Sequence, residues 1–356
     1  MPILRKVPAV VVRSVPDSVP AQVAFVGHRL GAPDGISAAS AVWQDAFRSL
    51  GSIVTTIASE GTADHVVPLD ESSLEDLLSE QDLVVVENCC SEWSNPLETE
   101  TLARLLAGRP AILRHHDLAW QAGGSQAGGS QDDRPPPDDP AWTHVTINER
   151  SRIELDARGV HARTSYNHFD LDPPVGDRDA TRLALGLESG ERLLLQPTRV
   201  AASKNVAGGL LLAAGISAVY WILGPVDDDY RERLDQLVSR TTVRVVQGRP
   251  DGVTLADAYA ASDAVVLAST WEGFGNAAIE SAAYRRPFAI GPYPVGTELR
   301  RYGFSWYDWH NVGALDRYLA DPDPFVVDRN EKVARMRFSS SDLAQDLLRF
   351  VYRAVN

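Results

Sequence analysis

The chain has 356 residues, of which 44% are hydrophobic and 23% are charged. This composition is ordinary for globular proteins and excludes a wholly disordered chain, and the length predicts two domains at roughly 150 residues each. The formal net charge of −14 disfavours binding to nucleic acid or to an anionic membrane surface through bulk electrostatics.

The sequence also predicts the cellular compartment of the protein. Its two cysteines, Cys89 and Cys90, are adjacent, so a bond between them would close almost no loop and would not constrain the fold. No apolar run approaches the ~20 residues that span a bilayer, and Pro8 and Pro16 interrupt the first apolar stretch. We therefore interpret residues 1–16 as an N-terminal extension and predict a cytoplasmic protein.

Short apolar runs rich in branched residues alternate with helix-like stretches along the first half of the chain. The predicted strands are residues 23–26, 52–57, 83–86 and 111–113. The predicted helices between them are residues 38–50, 74–78 and 96–107. Such alternation with short connections favours a parallel sheet that is covered by helices on both faces.

A second series of the same kind follows. Its predicted strands are residues 193–196, 219–223, 243–246, 264–267 and 288–290, and its predicted helices are residues 206–214, 227–240, 254–261 and 276–286. Two such series predict an α/β protein with two doubly wound domains. The proline-containing segment 168–179 separates them, so we divide the chain into residues 1–170 and 171–339. An amphipathic helix over residues 340–356 is expected to pack back on the first domain.

Residues 121–140 differ in composition from the rest of the chain. They contain the sequence QAGGS twice, followed by a run of prolines and acids. Such a segment cannot bury enough apolar surface to offset its ordering entropy, so we expect a mobile loop. Its role stays open between a solvated insertion and a lid over an acceptor site.

The strongest functional signal is the segment 269–280, STWEGFGNAAIE, which follows a predicted strand and opens a predicted helix. A helix N-terminus offers free backbone N–H groups and the positive end of the helix dipole to an anion. Gly273 and Gly275 allow the backbone to approach a phosphate closely. Glu280 lies near the first helical turn, where a carboxylate can accept hydrogen bonds from a vicinal diol such as that of a ribose.

Two further positions point to the same chemistry. Arg199 and Lys204 follow the strand 193–196, at the carboxyl edge where open α/β sheets bind ligands. Two cations there can neutralise a diphosphate and stabilise it as a leaving group. Asp34 and Gly35 follow the first strand, so they are expected to face the cleft from the opposite lobe.

The segment 269–280 resembles the signature of family 4 of the retaining glycosyltransferases, which have the GT-B fold of two Rossmann-like domains. Its two acids, Glu272 and Glu280, are eight positions apart, as in that signature. Arg199 and Lys204 resemble the arginine and lysine that bind the donor diphosphate in that family. Weaker similarities cover His116 with Asp117 and residues 166–170, 247–248, 259–263 and 291–298.

The resemblance implies three groups of site residues. The catalytic group is Glu272 on the donor sugar, His116 near that sugar, and Arg199 and Lys204 on the diphosphate. The donor-binding group is Phe274, Gly275 and Asn276 through their backbones, Glu280 on the ribose, and Gly248. The acceptor or cleft group is Asp34, Gly35 and Asp117. The chain departs from the family where it has the single Gly35 instead of a glycine pair, and His168 instead of glycine in the interdomain turn.

The implied reaction moves a sugar from a nucleoside diphosphate sugar to an acceptor hydroxyl with retention of configuration. The donor is a UDP, GDP, ADP or dTDP sugar, and the acceptor is a small molecule or glycan. We expect no metal and no other cofactor, because the cations and the helix N-terminus can stabilise the departing diphosphate. The predicted helix 38–50 contains Arg48 as its only base, together with Asp45, which predicts a soluble acceptor and no strong membrane binding.

Other activities of the same architecture stay open. A nucleotide-sugar epimerase or a phosphorylase would use similar donor contacts without this transfer reaction. A relative that binds nucleotide sugars without turnover is the second alternative. The presence of Glu272, Glu280, Arg199 and Lys204 together favours the transferase.

Overall fold

A computed structural model describes residues 19–32, 34–91, 95–121 and 134–355, with side chains described as far as residue 351. The predicted N-terminal extension and residues 122–133 of the predicted loop lie outside this range. Within the described residues, no helix combines the length and the apolar character needed to cross a bilayer.

The first lobe is built on a seven-stranded sheet in which each strand runs parallel to its neighbours. In chain order its strands are β1 (Gln22–Leu30), β2 (Ile53–Gly61), β3 (His65–Val66), β4 (Leu83–Glu87), β5 (Ala111–His115), β6 (Trp142–Thr146) and β7 (Ala162–Thr164). They lie side by side in the order β3-β2-β1-β4-β5-β6-β7. The helices of this lobe are α1 (Gly35–Ser49), α2 (Glu71–Ser79), α3 (Pro96–Leu106) and α4 (Glu149–Asp156).

The second lobe repeats the plan with a six-stranded parallel sheet. Its strands are β8 (Arg192–Gln196), β9 (Ala218–Ile222), β10 (Val245–Gln247), β11 (Ala264–Leu267), β12 (Phe288–Ile290) and β13 (Tyr307–Asp308), in the order β10-β9-β8-β11-β12-β13. The helices are α5 (Arg178–Ala184), α6 (Val206–Gly215), α7 (Arg231–Ser239), α8 (Leu255–Ala261), α9 (Asn276–Ala283), α10 (Pro294–Arg300), α11 (Val312–Ala320) and α12 (Pro324–Phe338). The two doubly wound sheets confirm the predicted fold class.

Apolar clusters cover both faces of each sheet, as the unbroken hydrophobic character of strands such as β4 and β9 requires. The last helix, α13 (Leu343–Val355), joins the core of the first lobe. Its Phe350 stacks on Trp43 of α1, with ring centroids 5.9 Å apart. The connection that returns the chain passes Phe169, whose backbone bonds to Phe338 and Ser340.

Several elements were not predicted because their sequences are polar. The strands β6 and β7 and the helix α4 follow the proline-rich loop, and α4 reads ERSRIELD, with four charged side chains before its one buried leucine. The predicted helix 227–240 is divided: a short 3-10 turn, Asp228–Tyr230, precedes α7. Asp227 forms no side-chain cap at that turn and pairs with Arg199 instead.

The sheet order determines where a ligand can lie. In each sheet the order of the strands reverses between two neighbours, β1 and β4 in the first lobe and β8 and β11 in the second. Open parallel sheets bind ligands beyond the carboxyl ends of the strands at such a switch point. The loops after these four strands, and after β5, therefore carry the candidate site.

Candidate functional site

An ion pair joins the loops that follow β8 and β11. Lys204 Nζ lies 2.7 and 2.8 Å from the two carboxylate oxygens of Glu272. Ser269 Oγ donates a second hydrogen bond to Glu272 Oε1, at 2.6 Å. The side chains are 12% and 11% exposed, so the pair is shielded but still reachable from the cleft. A cation and a carboxylate, both predicted to contact the donor, thus meet at the switch point of the second sheet.

Backbone geometry holds these two loops together. Asn205 adopts a left-handed conformation (φ 50°), and its side-chain amide donates to the carbonyl of Ala268 at 3.1 Å. The N–H of Thr270 donates to the carbonyl of Ser203 at 2.9 Å. Ser203 and Asn205, on either side of Lys204, are therefore bonded to the loop that carries Glu272, and the ion pair does not depend on flexible side chains alone.

The N-terminus of α9 has the geometry of an anion site. Gly275 precedes the helix with φ 94°, and a Cβ at this position would collide with the hydroxyl of Tyr293. Both constraints require glycine. No described side chain caps α9, so its first backbone N–H groups are available to an external acceptor.

The side chains on both sides of Gly275 are held by residues near the turn between the lobes. Phe274 is buried and packs its ring against Phe169 and Phe338, so only its backbone can contact a ligand. The side-chain oxygen of Asn276 accepts a hydrogen bond from Asn167 at 3.0 Å. These contacts connect the segment 269–280 to the turn between the lobes.

Glu280 lines a cavity between the two lobes. Tyr259 Oη donates to Glu280 Oε2 at 2.6 Å. Burial raises the pKa of Glu280 above its ordinary value, while the hydrogen bond from Tyr259 acts in the opposite direction. The carboxyl group borders a cavity of about 220 Å³ that is also lined by Leu255 and Tyr284 and by residues of α1.

Arg199 and Gly248 lie nearer to the edge of the candidate site. The side chain of Arg199 is 44% exposed, and its Nη1 is 3.3 Å from Asp227 Oδ2. Gly248 follows the outer strand β10 with φ 78°, and its carbonyl accepts from Trp221 Nε1 at 2.7 Å. Strand β9 lies between β10 and β8, so the fold separates Gly248 from the Lys204–Glu272 pair.

The first lobe approaches this site closely at two glycines. A Cβ at Gly273 would lie 2.6 Å from the carbonyl oxygen of His116 and 2.8 Å from Asp117 Oδ1. A Cβ at Gly35 would lie 3.3 Å from the side-chain nitrogen of Asn276. The loops after β5 and β1 therefore touch the segment 269–280, which places Gly35, His116 and Asp117 against it across the cleft, while Gly248 lies apart.

Asp34 and Asp117 have different surroundings. Asp34 Oδ1 accepts from the N–H of Ser37 at 2.8 Å and caps α1. Burial raises the pKa of Asp117, and the charge of Glu272 adds to the effect, whereas His116, Lys204 and Arg199 lower it. Asp117 thus responds to charges from both sides of the cleft, while the side chain of Asp34 serves the helix.

A buried charge network behind His116 was not predicted from the sequence. Glu87 Oε2 is 2.8 Å from His116 Nε2, and Glu87 Oε1 is 2.6 Å from Arg114 Nη1. The side chains of Glu87 and Arg114 are fully buried. Burial alone would raise the pKa of Glu87, but Arg114 and the hydrogen bond from His116 outweigh it and lower the pKa. Asn88, after β4, accepts from the backbone N–H groups of His116 and Asp117.

Three further side chains join the lobes, and of these Asn148 was not predicted from the sequence. Asn148 Nδ2 donates to the carbonyl of Gly273 at 2.7 Å. Glu298 of α10 accepts from the N–H groups of Glu149 and Arg150 at the start of α4, at 2.8 and 3.2 Å. Tyr166 Oη donates to the same carboxylate at 2.6 Å. The sequence analysis singled out residues 166–170 and 291–298, but it did not predict that they are in contact.

The described residues contain no group of three or more His, Cys, Asp or Glu side chains placed to hold a metal ion. The electrostatic features of the cleft are the ion pairs of Lys204 and Arg199 and the uncapped N-terminus of α9. This set of groups can bind an anion with oxygen acceptors, and a carboxylate beside it can accept hydrogen bonds from hydroxyls.

Comparisons with known proteins find a matching family model and similar chains. The family Glycosyl transferases group 1 matches residues 177–320, which contain β8 to β13. Mannosylglucosylglycerate synthase of Thermotoga maritima is 23% identical over 304 residues, covering 75% of this chain and 71% of the relative. Lipid-A-disaccharide synthase of Pseudomonas putida is 32% identical over 132 residues, and this match spans about a third of either chain.

Solved structures extend the similarity to both lobes. HepE of Anabaena, crystallised with UDP-glucose, superposes with a TM-score of 0.71 at 15% identity and covers 93% of this chain and 99% of that one. Sucrose-phosphate synthase of Thermosynechococcus elongatus gives a TM-score of 0.73 at 16% identity, over 93% and 98% of the two chains. The chain therefore has the GT-B fold, and its second lobe is similar to the family Glycosyl transferases group 1.

Proposed function

We propose that the protein is a retaining glycosyltransferase of family 4, which transfers a hexosyl unit from a nucleoside diphosphate sugar to an acceptor hydroxyl without a metal ion. The observation that carries the proposal is the convergence of the Lys204–Glu272 pair and the N-terminus of α9 on a cleft closed by His116 and Asp117. Lys204 and the N-terminus of α9 match the diphosphate of such a donor, and the Glu272 carboxylate matches the hydroxyls of its sugar.

The proposed chemistry follows from the charge that develops in the reaction. The bond between the anomeric carbon and the diphosphate breaks through an oxocarbenium-like state, so the departing anion needs stabilisation. Lys204, Arg199 and the N–H groups of α9 would provide it, which is why no divalent ion is required in the proposal. When a donor binds, Lys204 would be shared between Glu272 and the diphosphate, and Glu272 would be drawn to the sugar hydroxyls.

The names of similar proteins suggest the first substrates to test. HepE was crystallised with UDP-glucose, which favours a UDP sugar as donor. A relative named mannosylglucosylglycerate synthase favours a small soluble acceptor such as a glycosylated glycerate, whereas one named lipid-A-disaccharide synthase favours a lipid-linked sugar. We give precedence to a soluble acceptor because α1 has a single base, Arg48, which Asp45 pairs at 3.0 Å. The proposal includes a cytoplasmic location.

A donor screen followed by product analysis tests the proposal. UDP-, GDP-, ADP- and dTDP-glucose and UDP and GDP alone would be compared by the thermal shift that they produce. The donor that stabilises the protein would then be incubated with hydroxyl acceptors, with and without EDTA. We expect transfer that survives EDTA, and NMR of the product should show the anomeric configuration of the donor.

The alternatives give different results in the same experiment. Conversion of the nucleotide sugar into its 2-epimer without an acceptor would favour an epimerase. Release of a sugar phosphate in the presence of inorganic phosphate would favour a phosphorylase. Tight donor binding without hydrolysis or transfer to a broad panel of acceptors would favour a nucleotide-sugar-binding relative.

A further inference from the structure

We infer that Glu87 is a positioning residue, which holds the imidazole of His116 in the tautomer that carries its proton on Nε2 and presents the Nδ1 lone pair to a hydroxyl of the sugar. This inference rests on the proposed function for the identity of the ligand. The placement of the proton, however, follows from contacts within the first lobe and can be tested separately.

The contact between Glu87 and His116 is short and closed to solvent. Glu87 Oε2 lies 2.8 Å from His116 Nε2, with side-chain exposures of 0% and 3%. A carboxylate has only acceptors, so the proton of this hydrogen bond is on the imidazole. Within the described residues, no group forms a hydrogen bond with His116 Nδ1, which leaves that nitrogen for the ligand.

Arg114 keeps Glu87 in the ionised form. Its Nη1 lies 2.6 Å from Glu87 Oε1, and its guanidinium stacks over Trp43 at 4.0 Å from the ring centroid. Glu87 and Arg114 occupy paired positions of β4 and β5, so the backbone ladder sets their register. Since one guanidinium already balances one carboxylate, a neutral His116 leaves this buried group without net charge, as burial favours.

The charged groups around His116 come from both lobes. Asp117 and His115 are its chain neighbours, and burial lowers the pKa of His115, which keeps that ring neutral. Across the cleft, Lys204 is paired with Glu272 and Arg199 with Asp227. The surrounding charges are therefore largely compensated in pairs, and Glu87 is the acid that contacts the imidazole directly.

Arg114 also determines what the substitution Glu87→Gln would do. Because arginine has only donors, the carbonyl oxygen of Gln at position 87 must face Arg114, and its amide N–H must face His116. His116 Nε2 would then have to accept, and the proton would move to Nδ1. The substitution thus inverts the tautomer while it preserves the shape of the side chain.

The experiment combines imidazole ¹⁵N NMR with kinetics on the full chain. Two-bond ¹⁵N–¹H spectra of histidine-labelled protein at pH 8 report the tautomer, and His116→Gln identifies its signals among the eight histidines. We expect Nε2–H in the wild type and Nδ1–H in Glu87→Gln. We further expect kcat for transfer to fall on the order of 10- to 100-fold in Glu87→Gln, with unchanged affinity for UDP.

Asp308→Asn is the matched control. Asp308 Oδ1 accepts from His310 Nδ1 at 2.8 Å, so it forms a second carboxylate–histidine contact, on the edge strand β13 of the second lobe. Its substitution should leave the His116 signals and kcat within twofold of the wild type. If Glu87→Gln fails to fold, the wild-type spectrum still decides the tautomer, and Glu87→Asp, which keeps a carboxylate, should retain Nε2–H and most of the rate.

Three results would overturn the inference: a wild-type ring protonated on Nδ1 alone, a ring protonated on both nitrogens, or an inverted tautomer in Glu87→Gln with normal kcat. Absence of transfer from every donor in the wild type would instead contradict the proposed function. The spectra would report on Glu87 in that case as well, so the two failures are distinguishable.

Discussion

The two faces of the cleft are constructed differently. On the side of the second lobe, the functional side chains are partly exposed and lie on loops that a short sequence segment supplies, with Lys204 and Glu272 at 12% and 11% exposure. On the side of the first lobe, Glu87 and Arg114 are fully buried beneath His116. In the proposed function, a ligand would replace the ion pair of the second-lobe face, whereas the ion pair of the first-lobe face would stay in place.

We therefore expect the Glu87–Arg114 and Lys204–Glu272 pairs to respond differently to substitution. Breaking a buried pair leaves an uncompensated charge in a low-dielectric interior, so the loss appears in stability. Breaking a pair at the cleft leaves groups that water can solvate, so the loss appears in the reaction rate.

Arg114→Met is expected to lower the free energy of unfolding by about 3–5 kcal/mol, because it leaves the Glu87 carboxylate buried without its cation. Urea unfolding measures this quantity. The double variant Glu87→Leu with Arg114→Met should recover most of the loss, since replacing both charges by apolar groups of similar size is often neutral. A single variant within about 1 kcal/mol of the wild type would contradict the expectation.

Lys204→Ala is expected to raise the barrier to sugar transfer by roughly 2–4 kcal/mol, as loss of other groups that stabilise a developing anion does. The free energy of unfolding should change little, because Ser269 still donates to Glu272. Steady-state kinetics with the preferred donor measure the effect. Lys332→Ala, at an exposed position of α12, is the matched control and should keep the wild-type rate. A normal rate in Lys204→Ala would remove Lys204 from the site.

The contrast between the faces also explains what could be read from the sequence. The segment 269–280 and the pair Arg199 and Lys204 each lie directly after a buried strand, and the carboxyl ends of parallel strands meet at one edge. Their position directly after predicted strands was therefore sufficient to predict that these residues lie at the same edge of the sheet. The β8–β11 adjacency at the switch point then brings Lys204 within 2.7 Å of Glu272.

The contacts of Glu87 and Arg114 in the first lobe were harder to predict from the sequence, because they depend on which strands are neighbours in the sheet. Glu87 and Arg114 each end an apolar run, which alone suggests only a solvated strand end. The ladder between β4 and β5 pairs them, and α13 returns from the end of the chain to pack on the same lobe. Likewise, Asn148 meets Gly273 at a separation of 125 residues, which no local pattern indicates.

Asn148 allows the link between the two faces to be tested. Its Oδ1 accepts from the N–H of Ser151 and caps α4, and its Nδ2 donates to Gly273. Asn148→Ala should lower the free energy of unfolding by about 1 kcal/mol through the lost cap. Asn148→Asp keeps the cap but places an acceptor against the Gly273 carbonyl.

We therefore expect both Asn148 variants to weaken UDP binding about fivefold, consistent with the loss of one hydrogen bond of ~1 kcal/mol. Only Asn148→Ala should lose stability. Isothermal titration with UDP and urea unfolding measure the two effects. Equal UDP affinity in the wild type and both variants would show that the interlobe hydrogen bond does not position the segment 269–280.

The smallest expected effect concerns Glu280, whose pKa depends on its burial and on Tyr259 of the same lobe. Burial raises its pKa, and the hydrogen bond from Tyr259 at 2.6 Å opposes that rise. If the ionised carboxylate holds the ribose, UDP affinity should fall as the pH decreases through this raised pKa, because the protonated form loses an acceptor.

Tyr259→Phe removes the opposing hydrogen bond, so the pKa rises further and the loss of affinity should begin at a higher pH than in the wild type. Titration of UDP from pH 8 to pH 5 measures both midpoints, with Tyr318→Phe, in α11, as the control. A midpoint that does not move would show that the hydrogen bond from Tyr259 does not adjust the charge of Glu280.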